Sequence, residues 1–488
     1  MPVRLESRDL LVAALLVALA GGVYFLSVRP GHDWGGDFSI YLAHAKNIAE
    51  GRPYGDTGYI ATPESSVHHP ATYPPVFPLL LAPFYAAFGL NLHVFKLVVQ
   101  AFFALALPFY YVLARLRGGT AMDSAAAAAA FGLSALVLSV KESVVTEGVY
   151  LLLGGAALAA ALWIQREGWD RTHPWRAGLV VGSLCSLAYG TRAAGLALVL
   201  AYAVDEAWRV RRLRPYALAT VGVFLAGWVF YTVALYDVRS YGNQFPVDLS
   251  AYWNNLLYYF RSPASLWASA PAWFRYPLTL AGIVLAGVEM IRRTLRGPSI
   301  VEWYSWICIG MVVVFTAGVH PRYLMPFFPL LLMYMMESAR WWSERLGDAW
   351  RRPARIGLYG LLAAGIAFNL RAIDTRPIEE GVEQPTFVAL CDFLKSGTSR
   401  GDVLVSWNPR VLALYTGRRS ALYPQTAKDE EFARKLSEIG ATRLIFYRRY
   451  EGDRLWLSPF LNRHAGEIRV VYENADFVVY ALGGRASD

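Results

Sequence analysis

The chain has 488 residues, 56% hydrophobic and only 17% charged, with a net charge of +9 and a mean hydropathy of +0.33. Few soluble proteins of this length are so apolar, so the composition points to a membrane-embedded class. Loop topology accounts for the basic excess better than nucleic-acid binding does, and three scattered cysteines (Cys185, Cys308, Cys391) supply neither a disulfide framework nor a metal motif.

The first apolar run, 10–28, is uncharged and long enough to cross a bilayer. No convincing small-x-small cleavage site follows it, so it reads as a retained span. The loop after it, 29–93, is too long for a plain connector. It opens with "RPGHDWGGDFSIYLAHAKNIAEG", which sets Asp37 directly behind Gly35 and Gly36. Two glycines there allow close backbone approach. Apolar residues at 38, 41, 42, 45 and 48 have helical spacing, and Gly51 suits the end of a helix over 38–50. Its other face is polar, which predicts a helix lying at the membrane interface. Asp37 would then be a helix cap, a functional group, or both. Farther on, Pro74, Pro75 and Pro78 argue against a continuous span and for a second interfacial or re-entrant helix over 76–88. Trp34, Tyr41, Tyr54, Tyr59, Tyr73, Phe77 and Tyr85 are the aromatic belt such a loop would use.

Further apolar runs cover 94–114, 121–139, 147–164, 177–191, 193–207, 216–236, 276–291, 301–318, 323–338 and 356–372, which makes about eleven spans in all. Arginine clusters at 4–8, 115–117, 166–176, 209–214, 292–296 and 340–355 all fall on one side if the N-terminus is cytoplasmic. This repeated positive-inside pattern sends Asp37, and everything after 373, to the outer face. The runs 177–191 and 193–207 are short for a bilayer and flank Thr191-Arg192, so Arg192 is expected at an outer tip facing a water-filled cavity. The tail, 374–488, changes character. Strand-like "DVLVS", "TRLIFYR" and "IRVVYENADFVVYAL" alternate with helix-like "TFVALCDFLKSG" and "KDEEFARKLSEIG", and the last strand pair turns at Glu473–Asp476. The expected architecture is therefore an α-helical polytopic membrane domain over 1–373, carrying the 29–93 loop, followed by a small soluble α/β domain over 374–488 on the outer face. The tail has no obvious cluster of acid, base and nucleophile, so it is expected to do no chemistry.

The acidic residue in the first outer loop, the Pro-Pro-aromatic segment, the Thr-Arg tip and "HPRYLMPFFPLLLMYM" occur in an order and sidedness that resembles the membrane-embedded GT-C glycosyltransferases. The look is nearest to the branch with protein O-mannosyltransferases, aminoarabinose transferases and RgtA/B/C/D-like enzymes. The resemblance covers 10–372 in architecture, and the tail resembles the small outer domain that many such enzymes carry. It implies a polyprenyl-phosphate sugar donor, a lipid, glycan or protein acceptor, and a bacterial plasma-membrane location. It implies that Asp37 acts on the acceptor hydroxyl, that Glu147 (with Glu142 as a rival) is the second acidic residue, and that Arg192 and Arg322, the latter beside Tyr323, lie near the donor phosphate. Where some members have a lysine before the Pro-Pro pair, this chain has Tyr73, which leaves His68, His69 or Lys141 as substitutes. His68-His69 is also the place where a divalent ion would be sought, although no acidic residue stands beside it.

The chemistry is coherent without the resemblance. Displacing a sugar from a lipid phosphate needs cations beside the phosphate and a base for the incoming hydroxyl. One outward carboxylate and two outward arginines form a sufficient set. The competing classes are a transporter or flippase and a polymerase or ligase of lipid-linked sugars. Transporters usually show repeated halves and charges near the midplane, whereas this chain has no visible repeat and gathers its charges at the outer boundary.

Overall fold

The computed structural model describes residues 6–62, 73–210, 213–234 and 247–482. They fall into two compact units. One contains the described parts of Met1–Arg29, Phe95–Ala234 and Asn243–Thr375; in the other, the described residues belong to Pro30–Val94 and Arg376–Asp488.

The first unit is helical. Among the described residues, six helices are long and apolar enough to cross a membrane: Ser7–Leu26, Leu92–Leu116, Glu147–Arg166, Pro215–Val233, Ala272–Arg296 and Ala349–Arg371. Hydropathy predicts about eleven spans, and the difference is one of length and continuity. The run 121–139 is two helices, Ala121–Gly132 and Ala135–Val140, because Ser134 starts the second by accepting a hydrogen bond from the Val137 N–H. The short runs around Thr191-Arg192 are helices Pro174–Thr191 and Leu196–Val210, parted by a 3₁₀ turn. The run 301–318 is helical only over Ile300–Val314, and 323–338 becomes a one-turn helix, Pro321–Leu324, a 3₁₀ turn and then Phe328–Ser343. Pro321, Pro326 and Pro329 remove the donors that a continuous helix would need. Helix Leu249–Arg261, held at its start by Asp248, has no counterpart among the apolar runs.

Several arginines that mark sidedness in the sequence are buried and paired. Arg117 bridges Glu302 at 2.8 Å and Glu337 at 3.0 Å, and Arg115 bonds Asp9 at 2.8 Å. These pairs tie helices distant in sequence, so the basic clusters do more than set orientation. Buried pairs of this kind hold only while both partners remain.

The second unit is built on a six-stranded sheet with order β1-β3-β2-β4-β6-β5. The strands are β1 Tyr59–Ile60, β2 Val403–Ser406, β3 Arg419–Leu422, β4 Arg443–Tyr447, β5 Ile468–Glu473 and β6 Phe477–Leu482. The β1, β3, β2 and β4 strands run parallel, while β6 and β5 add antiparallel. Central β2 is buried along its whole length, as a parallel strand covered on both faces should be. Helices Pro385–Gly397 and Asp429–Glu438 match the helical patterns of the tail, and β5 and β6 form the hairpin at 473–476. On one side, Val405, Tyr423, Phe432, Leu436, Leu444 and Phe460 form a continuous apolar core.

This sheet takes its edge strand from the first loop, and the described residues of Pro30–Val94 pack with the tail. Tyr59 and Ile60 pair with Ser420 and Ala421. The Ile378 N–H donates to the Pro30 carbonyl at 2.9 Å, and the Val382 N–H to that of His32 at 3.0 Å. Trp34 is set among Phe387, Trp407, Tyr447 and Phe477, with ring centroids 5.1–6.3 Å away. The belt aromatics Trp34, Tyr41 and Phe77 are thus packing groups of this unit. The second loop helix spans Val76–Phe88, as its sequence predicts. The first, Gly36–Ala49, is buried continuously from Phe38 to Ala45, which is a core helix and not one with a polar face laid on a membrane. Its periodicity misleads because Ser39, His44 and Asn47 are buried polar groups: His44 and Asn47 both bond the Tyr54 carbonyl.

Asp453 is a buried acid in this unit. It accepts from the Tyr423 hydroxyl and from the Tyr447 N–H, each at 2.7 Å. Burial outweighs these bonds and pushes its carboxyl up to about 7. The native state therefore holds a proton that the unfolded chain releases above pH 4, so stability falls as pH rises between about 4 and 7. Thermal unfolding should show this unit more stable at pH 5 than at pH 8, by on the order of 3 kcal/mol, and Asp453→Asn should flatten that dependence.

Candidate active site

The residues singled out in the sequence gather in three clusters, each inside one unit. The first is in the sheet-containing unit. Asp37 sits in the first turn of helix Gly36–Ala49, but it is not the cap; Gly35 occupies that position. The Asp37 carboxylate instead accepts a hydrogen bond from the Tyr73 hydroxyl at 2.9 Å and faces the Arg410 guanidinium at 3.5 Å. Arg410 also donates to the Tyr73 oxygen at 2.8 Å. Tyr73 is held well above the usual tyrosine range by burial and by the Asp37 charge, so it stays protonated and donates. Burial opposes the Arg410 charge, but Tyr73 and Asp37 more than offset it and raise its value. A Cβ on Gly36 would overlap the Arg410 guanidinium. The second glycine of "GGD" thus makes room for a protein side chain, not for substrate.

Arg410 belongs to the tail, on helix Pro409–Thr416. No reading of the sequence singled it out, and its contact with Asp37 brings the tail beside a candidate residue. Pro409 at the first helical position is the signal that marks this helix. Nothing local marks the arginine beside it. The cation beside Tyr73 is Arg410, while His68 and His69 lie outside the described residues.

The second cluster is in the helical unit. Glu147 begins helix Glu147–Arg166 with its side chain 4% exposed. Arg192 donates to its Oε1 at 2.5 Å, and Arg322 approaches the same oxygen at 3.8 Å. The Tyr323 ring stands 5.5 Å from the Arg192 guanidinium carbon and 5.4 Å from that of Arg322. The backbone explains how both cations arrive. Arg192 is the extended residue between Pro174–Thr191 and the 3₁₀ turn. That turn folds back so tightly on the helix end that a Cβ at Gly195 would overlap the Tyr189 backbone. The Tyr150 hydroxyl fixes the corner by donating to the Ala194 carbonyl at 3.0 Å. Arg322 lies on the one-turn helix capped by His320, whose Nδ1 accepts from the Arg322 N–H at 3.1 Å. Burial, then the nearby Arg322 charge, lowers the His320 pKa, which keeps the ring neutral and able to accept. His320 is a site residue that sequence reading did not select, although "HPR" carries a capping side chain directly before an N1 proline.

The third cluster engages Lys141 and Glu142. Glu142 pairs with Lys141 and, at 2.9 Å, with Lys96. Lys96 also donates to the Arg29 carbonyl and Lys141 to that of Ser27, so both buried lysines fasten the chain leaving the first span. Burial disfavours the Glu142 charge, but Lys141 and the other donors outweigh it and hold its carboxyl below the usual range. This arrangement makes Lys141 and Glu142 fastening groups. Among the described residues, no three of His, Cys, Asp and Glu come together in a way that would hold a metal ion.

The fold, apolar helices long enough to cross a membrane together with a small mixed sheet, is shared with solved structures of low sequence identity. Among solved structures, the chain is similar to ArnT from Cupriavidus metallidurans bound to undecaprenyl phosphate, with a TM-score of 0.57 at 14% identity over 97% of this chain and 99% of that one. It is also similar to the Archaeoglobus fulgidus oligosaccharyltransferase in complex with Zn and sulfate (TM-score 0.61, 13% identity, 96% and 73% of the two chains). A third similar structure is the mycobacterial arabinofuranosyltransferase AftD, with a TM-score of 0.57 at 14% identity, covering all of this chain and 41% of that one. No protein-family model and no curated protein sequence matches the chain.

Proposed function

We propose that the chain is an integral membrane glycosyltransferase that moves a sugar from a polyprenyl-phosphate carrier to an acceptor hydroxyl. The observation that carries this reading is the convergence of Arg192 and Arg322 on the single carboxylate of Glu147. Both guanidiniums turn toward one buried carboxylate and stand beside one tyrosine ring. The arginines are 22% and 26% exposed and Glu147 only 4%, so an incoming anion meets guanidinium and not carboxylate. Guanidinium forks suit phosphate oxygens, and Tyr323 supports both. The fold shared with an ArnT bound to undecaprenyl phosphate supports a lipid phosphate as that anion.

In the proposed reaction the acceptor oxygen bonds to the anomeric carbon while the bond from that carbon to the phosphate oxygen breaks. Polyprenyl phosphate departs as an anion that Arg192 and Arg322 stabilise, and the hydroxyl proton passes to Asp37. A phosphate leaving group needs positive charge beside it more than it needs an acid. The sugar passes through an oxocarbenium-like state, as in glycoside hydrolysis. In this reading Glu147 is the counter-ion that aims the two arginines, in place of the second catalytic acid that the family resemblance implies. The test is to incubate purified protein and membrane-lipid acceptors with a panel of undecaprenyl-phosphate sugars. Undecaprenyl phosphate should be released from at least one of them; failure to bind undecaprenyl phosphate or to release it from any donor would overturn the reading.

The repeated basic loops support a cytoplasmic N-terminus and an outer sheet unit in the bacterial plasma membrane. Reporter fusions after Gly118 and after Gly483 should therefore report the cytoplasm and the outside respectively. If both report the cytoplasm, the orientation and the outer-face reaction fall together.

A further inference from the structure

We infer that Arg410, supplied by the tail, is a positioning residue for Asp37: it fixes the direction and the charge of that carboxylate, with Tyr73 as the connecting donor and Gly36 as the notch that admits the guanidinium. The inference rests on the reading of Asp37 as the base, but it concerns a different residue and can fail separately.

Four features carry it. The contacts form a closed triangle, Arg410 to Tyr73 at 2.8 Å, Tyr73 to Asp37 at 2.9 Å and Arg410 to Asp37 at 3.5 Å. Both donors meet the same carboxylate atom, Oδ1, which sets the rotation of the group. The Arg410 side chain is 15% exposed against 31% for Asp37, so the cation is shielded while the carboxylate keeps access. Finally, Gly36 is the one residue type whose side chain leaves this path open. By donating to the Tyr73 oxygen, Arg410 polarises the phenol and strengthens the bond that Tyr73 makes to Asp37. Among the described residues, other titratable groups acting on this triangle include Tyr41, whose ring meets that of Tyr73, and Tyr59, which acts on Arg410. Asp33 turns to its own loop and accepts from the Gly35 N–H.

A base must be ionised before it can take a proton, so removing the nearby cation should make Asp37 harder to ionise. The experiment is an infrared pH titration of the full-length protein, reading the protonated-carboxyl band that disappears in Asp37→Asn. In Arg410→Gln the midpoint of that band should rise by about one pH unit or more. Gly36→Ala should move it the same way, because the added Cβ displaces the guanidinium while alanine favours the helix. Gly36→Ala carries the test if the Arg410 variant fails to fold. An unmoved midpoint overturns the inference, since a merely structural Arg410 would alter yield or thermal stability without shifting a titration. Turnover is followed in parallel with the donor panel described above. If the band moves and the acid limb of the rate profile moves with it, both readings stand. If the band moves and the rate profile does not, Arg410 keeps its role and the assignment of Asp37 as base falls.

Discussion

Asp37→Asn is expected to lower turnover by roughly 100-fold or more, with donor binding and the unfolding temperature nearly unchanged. Asparagine retains an oxygen that can accept from Tyr73, and its volume is that of aspartate. What it loses is the ability to receive a proton and to attract Arg410. A capping role would have complicated this variant, since a lost cap costs about 1 kcal/mol. Gly35 holds the cap position, so that effect is absent. Turnover measured at saturating donor separates the cases: a rate within a few-fold of wild type would remove Asp37 from the proton transfer.

The second large effect is expected at the paired arginines. Arg192→Gln and Arg322→Gln should each weaken undecaprenyl phosphate binding by roughly 10- to 100-fold, the worth of a charge-assisted hydrogen bond. Replacing both leaves Glu147 buried without compensation, and binding should disappear together with much of the unit's stability, by roughly 3–5 kcal/mol. Glu147→Gln is the contrasting variant. It relieves the arginines of their counter-ion, so lipid phosphate binding should persist or tighten while the geometry loosens. Binding measured with a fluorescent undecaprenyl phosphate analogue at two salt concentrations checks all of these. If Glu147→Gln abolished turnover as deeply as Asp37→Asn while donor affinity held, Glu147 would be a base and not a counter-ion.

Elements with strong local signals were legible in the sequence. Periodicity together with Pro75 predicts Val76–Phe88, and alternation predicts the β5–β6 hairpin of the tail. The Thr191-Arg192 break was readable because two runs were each too short for a bilayer. What could not be read depends on partners far away in sequence. The two-residue strand β1 has no pattern of its own and exists because β3 offers an edge. Arg410 reaches Asp37 across 373 residues, and no local feature carries that distance. The pairing of Arg192 and Arg322 on Glu147 likewise joins three separate helix ends. Burial of polar His44 and Asn47 disguised a core helix as an interfacial one.

That separation also constrains how the protein is made. At ~5–20 residues per second, roughly 20 to 75 seconds pass between synthesis of Asp37 and of Arg410. Through nearly all of that interval the Pro30–Val94 segment has neither its sheet neighbour β3 nor the Phe387 and Trp407 rings that pack on Trp34. The contact between Asp37 and Arg410 therefore forms late in synthesis relative to Asp37 itself. A nascent or prematurely terminated polypeptide would carry Asp37 without Arg410 beside it.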